Sequence, residues 1–126
     1  MCYCDSKLAK EVCCEPLLQG VAYATTPLAL MRSRYSAFVT RNQDYLATTV
    51  KLAALKAWRR IKDDEWLEYT KLVVLDYTKV SNKHTKGFVE FKAYYQHGGE
   101  LKSLHERSQF QKIAGKWYYV KGKIKK

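Results

Sequence analysis

From Leu28 the apolar positions Leu28, Met31, Tyr35, Phe38 and Val39 recur with the helical period. Thr26 before Pro27 supplies a capping hydroxyl and a proline suited to the first helical position, so a helix is predicted to start there. Asn42-Gln43-Asp44 opens a short second helix through Thr49, and a third, rich in Ala, Leu and Lys, is predicted over about 52–63. The period then changes. Glu65 to Tyr77 alternates, with Leu67, Tyr69, Val73, Leu75 and Tyr77 on one face, and Phe88 to Gln96 places Val89, Phe91, Ala93 and Tyr95 together. A third strand, Leu101 to Phe110, follows the turn His97-Gly98-Gly99, and Ala114-Gly115 turns into a fourth over Lys116 to Lys121. Helices first and a four-stranded antiparallel meander second define an α+β domain, with the helices on one side of a curved sheet.

The third strand carries the most informative pattern. Leu104, Glu106, Ser108 and Phe110 share the apolar face, and His105, Arg107, Gln109 and Gln111 share the other. One carboxylate, Glu106, thus falls among inward positions, where it needs a partner. On the first long helix Arg32 lies within the apolar sector, and Arg34 lies about 100° from its centre. The pattern predicts an Arg32–Glu106 ion pair, joined by the hydroxyl of Tyr35 or Tyr45. Such a pair either pins the helix to the sheet or forms the polar floor of a small-molecule pocket. Pinning is favoured, because a carboxylate locked to arginine is a weak base near neutrality.

The four cysteines change the picture at the N-terminus: Cys2, Cys4, Cys13 and Cys14 fall within the first 14 residues. Two thiolates two apart, followed after eight residues by an adjacent pair, suit one tetrahedral ion held by a short knuckle. The alternatives are unligated thiols or disulfides. A bridge between Cys2 and Cys4 or between neighbouring Cys13 and Cys14 would be strained. With all four positions filled by protein, the implied ion is a structural Zn²⁺.

The 126 residues suffice for one domain with a small appendage, read as a knuckle over 1–20 and an α+β domain over 21–126. The chain contains no apolar run of about 18 residues, so a membrane span is not expected. The N-terminus does not read as a secretory signal, and the compartment expected is the cytoplasm. Net charge is +11, from 23 Lys and Arg against 12 Asp and Glu, which favours polyanions in a salt-dependent way. The cations are spread along the chain, so a solvated surface that blocks edge pairing is the plainer reading. Phosphate loops, a nucleophile elbow and a cysteine–histidine nucleophile are not in the sequence, and His84, His97 and His105 fall on turns or the outward strand face. No residue is assigned a catalytic role.

The spacing Cys-x-Cys-x8-Cys-Cys resembles the SEC-C zinc motif found at protein termini. Leu30-Met31-Arg32-Ser33-Arg34-Tyr35-Ser36-Ala37-Phe38, Asp44-Tyr45-Leu46, Gly87-Phe88-Val89-Glu90-Phe91, Leu104-His105-Glu106-Arg107-Ser108-Gln109-Phe110 and Gly115-Lys116-Trp117-Tyr118-Tyr119-Val120-Lys121-Gly122 resemble the YchJ family. That resemblance implies a nuclear-transport-factor-2-like (cystatin-like) cone, three helices on a curved sheet around a cavity, behind an N-terminal zinc knuckle. It brings no established activity. The motif usually continues Cys-Gly-Ser-Gly, where this chain reads Cys4-Asp5-Ser6-Lys7. Family members tend to carry Trp-His-Pro after the second helix, where Thr49-Val50-Lys51 stands here, and longer members repeat the cysteine motif at the C-terminus.

Three functional readings stay open. A non-enzymatic, zinc-binding interaction or adaptor protein is preferred, with a protein partner and a homodimer through the sheet as expected assemblies. A small-molecule binder or enzyme using the cavity is the second, and a basic protein that binds RNA or the ribosome weakly is the third.

Overall fold

The computed structural model describes residues 1–51 and 60–125. A 3-10 turn at Lys10–Val12 and a four-residue helix α1 (Glu15–Leu18) close the N-terminal segment; helices α2 (Pro27–Thr40) and α3 (Gln43–Thr48) follow. Strands β1 (Glu68–Tyr77), β2 (Lys86–His97), β3 (Glu100–Ile113) and β4 (Lys116–Ile124) form one antiparallel sheet in the order β1-β2-β3-β4. The stretch 16–27 begins within a helical turn, with Pro16 near the N-terminus of α1. The helix predicted over 52–63 lies for the most part outside the described residues; Asp63–Glu65 form a 3-10 turn.

Local chemistry explains the boundaries. The Thr26 hydroxyl accepts from the Ala29 backbone N at 3.0 Å and Pro27 opens α2, a cap of about 1 kcal/mol. The helix stops where Arg41 turns left-handed at φ 59°, and Asn42 then caps α3 by accepting from Tyr45 N at 3.0 Å. The hairpin turns Gly98-Gly99 and Ala114-Gly115 have positive φ at both central residues, the geometry that matches strand twist.

The inner sheet face carries Val89, Phe91 and Ala93 from β2 and Ser108 and Phe110 from β3, all buried. On β1 the register shifts at Tyr69/Lys71 and again at Val74/Asp76. These bulges correct the predicted face. Tyr69 points inward as expected, but Leu72 and Val74 take the next inward places while Leu75 is 46% exposed. A further shift separates Gln109↔Lys121 from Phe110↔Tyr119, which turns Tyr119 and Gly122 to the same inner face. The β4 edge is covered by Thr49–Lys51, with Lys51 N donating to Tyr119 O at 2.8 Å and Tyr119 N to Thr49 O at 2.7 Å. Among the described residues, no helix is long and apolar enough to cross a membrane.

Helix α2 is covered on more than one side. Met31, Tyr35 and Phe38 meet the sheet, and Arg32 and Ser36 meet the N-terminal knuckle. Cys2, Cys4 and Cys14 belong to the same buried cluster as Leu30, Met31 and Leu72. The knuckle is part of the core.

Candidate metal centre and the adjoining cavity

The knuckle brings all four cysteines together. Their Sγ atoms lie within 4.8 Å of one another, with Cys4–Cys13 at 3.5 Å and Cys13–Cys14 at 3.8 Å, so one metal ion could touch all four. Cys2, Cys4 and Cys14 are buried and Cys13 is half-buried. The Ser6 hydroxyl sits 3.1 Å from Cys13 Sγ, and Ser36 on α2 lies 3.7 Å from Cys2 Sγ. Hydrogen bonding from Cys14 lowers the Cys4 thiol to about 4, against burial. The Cys14 thiol is pushed up chiefly by its bond to Cys4, and Cys13 is pushed up by burial. Alone, the cluster favours an anion at Cys4 and resists ionisation of Cys13 and Cys14, which a bound cation would reverse.

Backbone geometry explains how the loop closes without the usual glycines. Asp5 and Lys7 stand where the resembling motif has glycine, and both adopt left-handed backbone, at φ 61° and 68°. Each costs about 1–2 kcal/mol for a residue with a Cβ. Asp5 offsets part of this through its side chain: Oδ2 accepts from Leu72 N at 2.8 Å, tying the knuckle to edge strand β1 just beyond a bulge. Arg32 makes the second tie, with Nη1 donating to Cys4 O at 2.6 Å.

That contact corrects the predicted pair. Arg32 is half-buried against the knuckle and forms no ion pair with Glu106 among the described residues. Arg34 is the arginine that enters the core, at 7% exposure. Its Nη1 donates to Leu46 O at 3.0 Å and to Thr49 Oγ1 at 2.6 Å, and its guanidinium carbon lies 4.6 Å from the Tyr119 ring centroid. Burial lowers it to about 10, so it stays charged at neutral pH.

Between α2 and the concave sheet face lies a cavity of about 160 Å³. Its polar lining is Arg34, Tyr35, Tyr69, Glu106, Ser108 and Tyr119. Of the four predicted cavity residues, the fold brings Tyr35 and Glu106 together here. Arg32 and Tyr45 are elsewhere, Tyr45 sharing a 2.6 Å hydrogen bond with Ser33. Ser108 Oγ donates to Glu106 Oε2 at 2.7 Å. Burial pushes the Tyr69 and Tyr119 phenols up to about 12, with Glu106 adding to both, and pushes Tyr35 up as well. The cavity hydroxyls are therefore proton donors to hydrogen bonds rather than bases near neutrality.

Gly122 makes room for this arrangement. A Cβ there would overlap the Glu106 carboxylate and come within 2.8 Å of the Tyr119 hydroxyl. Gly122→Ala is expected to swing the flexible Glu106 carboxylate off Ser108 and to cost about 1–2 kcal/mol. The Glu106 carboxyl ¹³C resonance should move in the variant; an unchanged resonance would show that the carboxylate does not rest on Gly122.

His105 points away from Glu106, as its strand parity requires, and bonds Glu90 at 2.8 Å on the outer face. His84 caps its own turn, with Nδ1 accepting from Ser81 N at 2.8 Å.

Fold and site together define a class: a SEC-C-type cysteine knuckle docked on an NTF2-like α+β cone. Residues 26–122 match the family described as YchJ, middle NTF2-like domain. A UPF0225 protein of Serratia proteamaculans is 42% identical over 130 residues, covering 97% of this chain and 82% of the relative. Another from Streptomyces coelicolor is 40% identical, covering 98% and 94%. Among solved structures, a SEC-C motif containing protein from Rhodopseudomonas palustris superposes with TM-score 0.87 at 35% identity, covering 99% of this chain and 98% of that one. A SEC-C motif containing protein from Psychrobacter arcticus gives 0.78 at 27% identity, covering 99% and 81%. The chain belongs to the YchJ (UPF0225) family.

Proposed function

We propose that this protein is a non-enzymatic, zinc-binding adaptor whose knuckle presents an apolar surface to a protein partner. The observation that carries this reading is where the exposed large apolar side chains fall. Met1, Tyr3, Leu8, Val12, Val21 and Tyr23 are all exposed within the first 23 residues, with Val12 at 72% and Val21 at 78%. Exposed apolar side chains gathered on one short segment suit a protein interface.

Zinc is the ion that fits the donors. Zn–S bonds of about 2.3 Å in a tetrahedron require S···S separations of about 3.8 Å. The Cys4–Cys13 and Cys13–Cys14 distances of 3.5 and 3.8 Å meet that requirement. Four thiolates leave no open position for water or substrate, so such an ion holds structure. The cavity supports the same reading: its 160 Å³ is below the roughly 300–1,000 Å³ of ordinary ligand sites.

A second reading, a binder of a very small molecule, is favoured by one observation: Glu106, Arg34 and three tyrosines converge on that cavity. One experiment separates the two. A photo-reactive residue is placed at Val12, and a second at Leu101 as control, in untagged protein from its own host, with co-purifying small molecules read by mass spectrometry. The adaptor reading expects a discrete protein crosslink from position 12 alone and no stoichiometric small molecule. A tightly held ligand with no site-selective crosslink would reverse the assignment.

A further inference from the structure

The outer sheet face, opposite the helices, has a groove of about 480 Å³ that the knuckle and the cavity do not use. Lys51, Lys86, Arg107 and Lys121 line it together with Phe88 and Gln109, and no carboxylate occurs among its described lining residues. Register explains the grouping. Gln109 pairs with Phe88 on β2 and Lys121 on β4, and Lys51 follows the segment that pairs with β4. The Arg107 guanidinium carbon lies over the Phe88 ring, 3.5 Å from its centroid, while Nη1 reaches Glu90 at 3.3 Å, so the group is held against the ring. We propose that this groove is a binding site for single-stranded nucleic acid.

The observations choose this occupant over others. Four cations around a concavity complement a polyanion. A second copy packed on this face would set those same cations against each other, whereas phosphates neutralise them. A guanidinium stacked on an aromatic ring offers a flat platform for an unpaired base, and the exposed Gln109 amide offers both a donor and an acceptor. The site is a groove lined by neighbouring strands of the sheet, along which an extended single strand could lie. The chain's net charge of +11 adds a sequence-independent attraction.

The test is fluorescence anisotropy with a labelled 12-nucleotide oligouridine and the full chain, between 50 and 200 mM salt. Four phosphate contacts predict about a 50-fold loss of affinity over that range, from a slope near −0.7 per contact. The triple variant Lys51→Ala, Lys86→Ala, Lys121→Ala should bind weakly and lose only about threefold over the same range. A charge-matched control, Lys7→Ala, Lys10→Ala, Lys102→Ala, should keep the parent slope; thermal melts and size-exclusion profiles establish that both variants are folded and of parent size. Phe88→Leu, which keeps the charges, should weaken binding while leaving the slope unchanged. Equal losses in the groove and control variants would mean diffuse surface charge and overturn the proposal. So would equal competition by polyglutamate, binding of a duplex as tightly as the single strand, self-association through this face in place of RNA binding, or no binding at 50 mM salt.

Discussion

Removing a metal ion bound by the four cysteines is expected to release residues 1–14 from α2 and β1. Few apolar residues in that segment can hold it without the ion, and the coordination energy of a four-thiolate zinc site is folding energy. Release breaks the Arg32–Cys4 and Asp5–Leu72 hydrogen bonds, each involving a charged group, at a combined cost of about 3 kcal/mol to the rest of the domain. It also uncovers Leu30, Met31 and Leu72, which share a buried cluster with Cys2, Cys4 and Cys14. Amide exchange read with and without a strong chelator should show protection in 1–14 collapsing, with a smaller fall at Leu72. Cys4→Ser should reproduce the chelated pattern. Unchanged protection in both would mean that the segment folds without an ion.

The second large effect concerns the two arginines. Arg34→Ala removes a buried cation that satisfies Leu46 O and Thr49 Oγ1 and lies beside the Tyr119 ring, and it leaves a void in a close-packed region. A loss of about 3–5 kcal/mol is expected, from the packing lost and the buried acceptors left unpaired. Arg32→Ala removes one hydrogen bond at a half-buried position and should cost about 1–2 kcal/mol. Glu106→Gln should change stability by under about 1 kcal/mol, because no arginine pairs with it directly among the described residues. Urea midpoints for the three variants decide the matter. An Arg32→Ala loss equal to that of Arg34→Ala, or a Glu106→Gln loss above about 3 kcal/mol, would restore the ion pair that the sequence suggested.

Much of this architecture was legible in the sequence where periodicity ran uninterrupted. The α2 start at Thr26-Pro27, both glycine-bearing hairpin turns and the inward faces of β2 and β3 follow from capping, turn and alternation rules. The clustering of the four cysteines was readable because they are local and chemically distinctive. Long-range geometry was harder to read. The β1 bulges at Thr70 and Leu75 reset the alternation, which moved Leu72 and Val74 inward at the expense of Val73 and Leu75. A helical wheel assumes one buried face, and α2 has its sheet side and its knuckle side both covered, so Arg32 and Arg34 exchanged the expected places. Tyr119 and Gly122 join the cavity because of a register shift on β4, which apolar patterning does not reveal.

The loss of two glycines from the knuckle has a physical counterpart in the fold. Asp5 accepts a strained backbone and gains a bond to the unpaired edge of β1, so the motif and the cone are joined at a point where a glycine could not join them. The knuckle is thereby tied to both the sheet edge and α2.

The proposed ion is a structural zinc held by Cys2, Cys4, Cys13 and Cys14. Zinc K-edge X-ray absorption on untagged protein from its own host tests it most directly. One zinc per chain is expected, with four sulfur neighbours at about 2.3 Å and no lighter ligand. Substoichiometric metal, or a first shell containing nitrogen or oxygen, would contradict it.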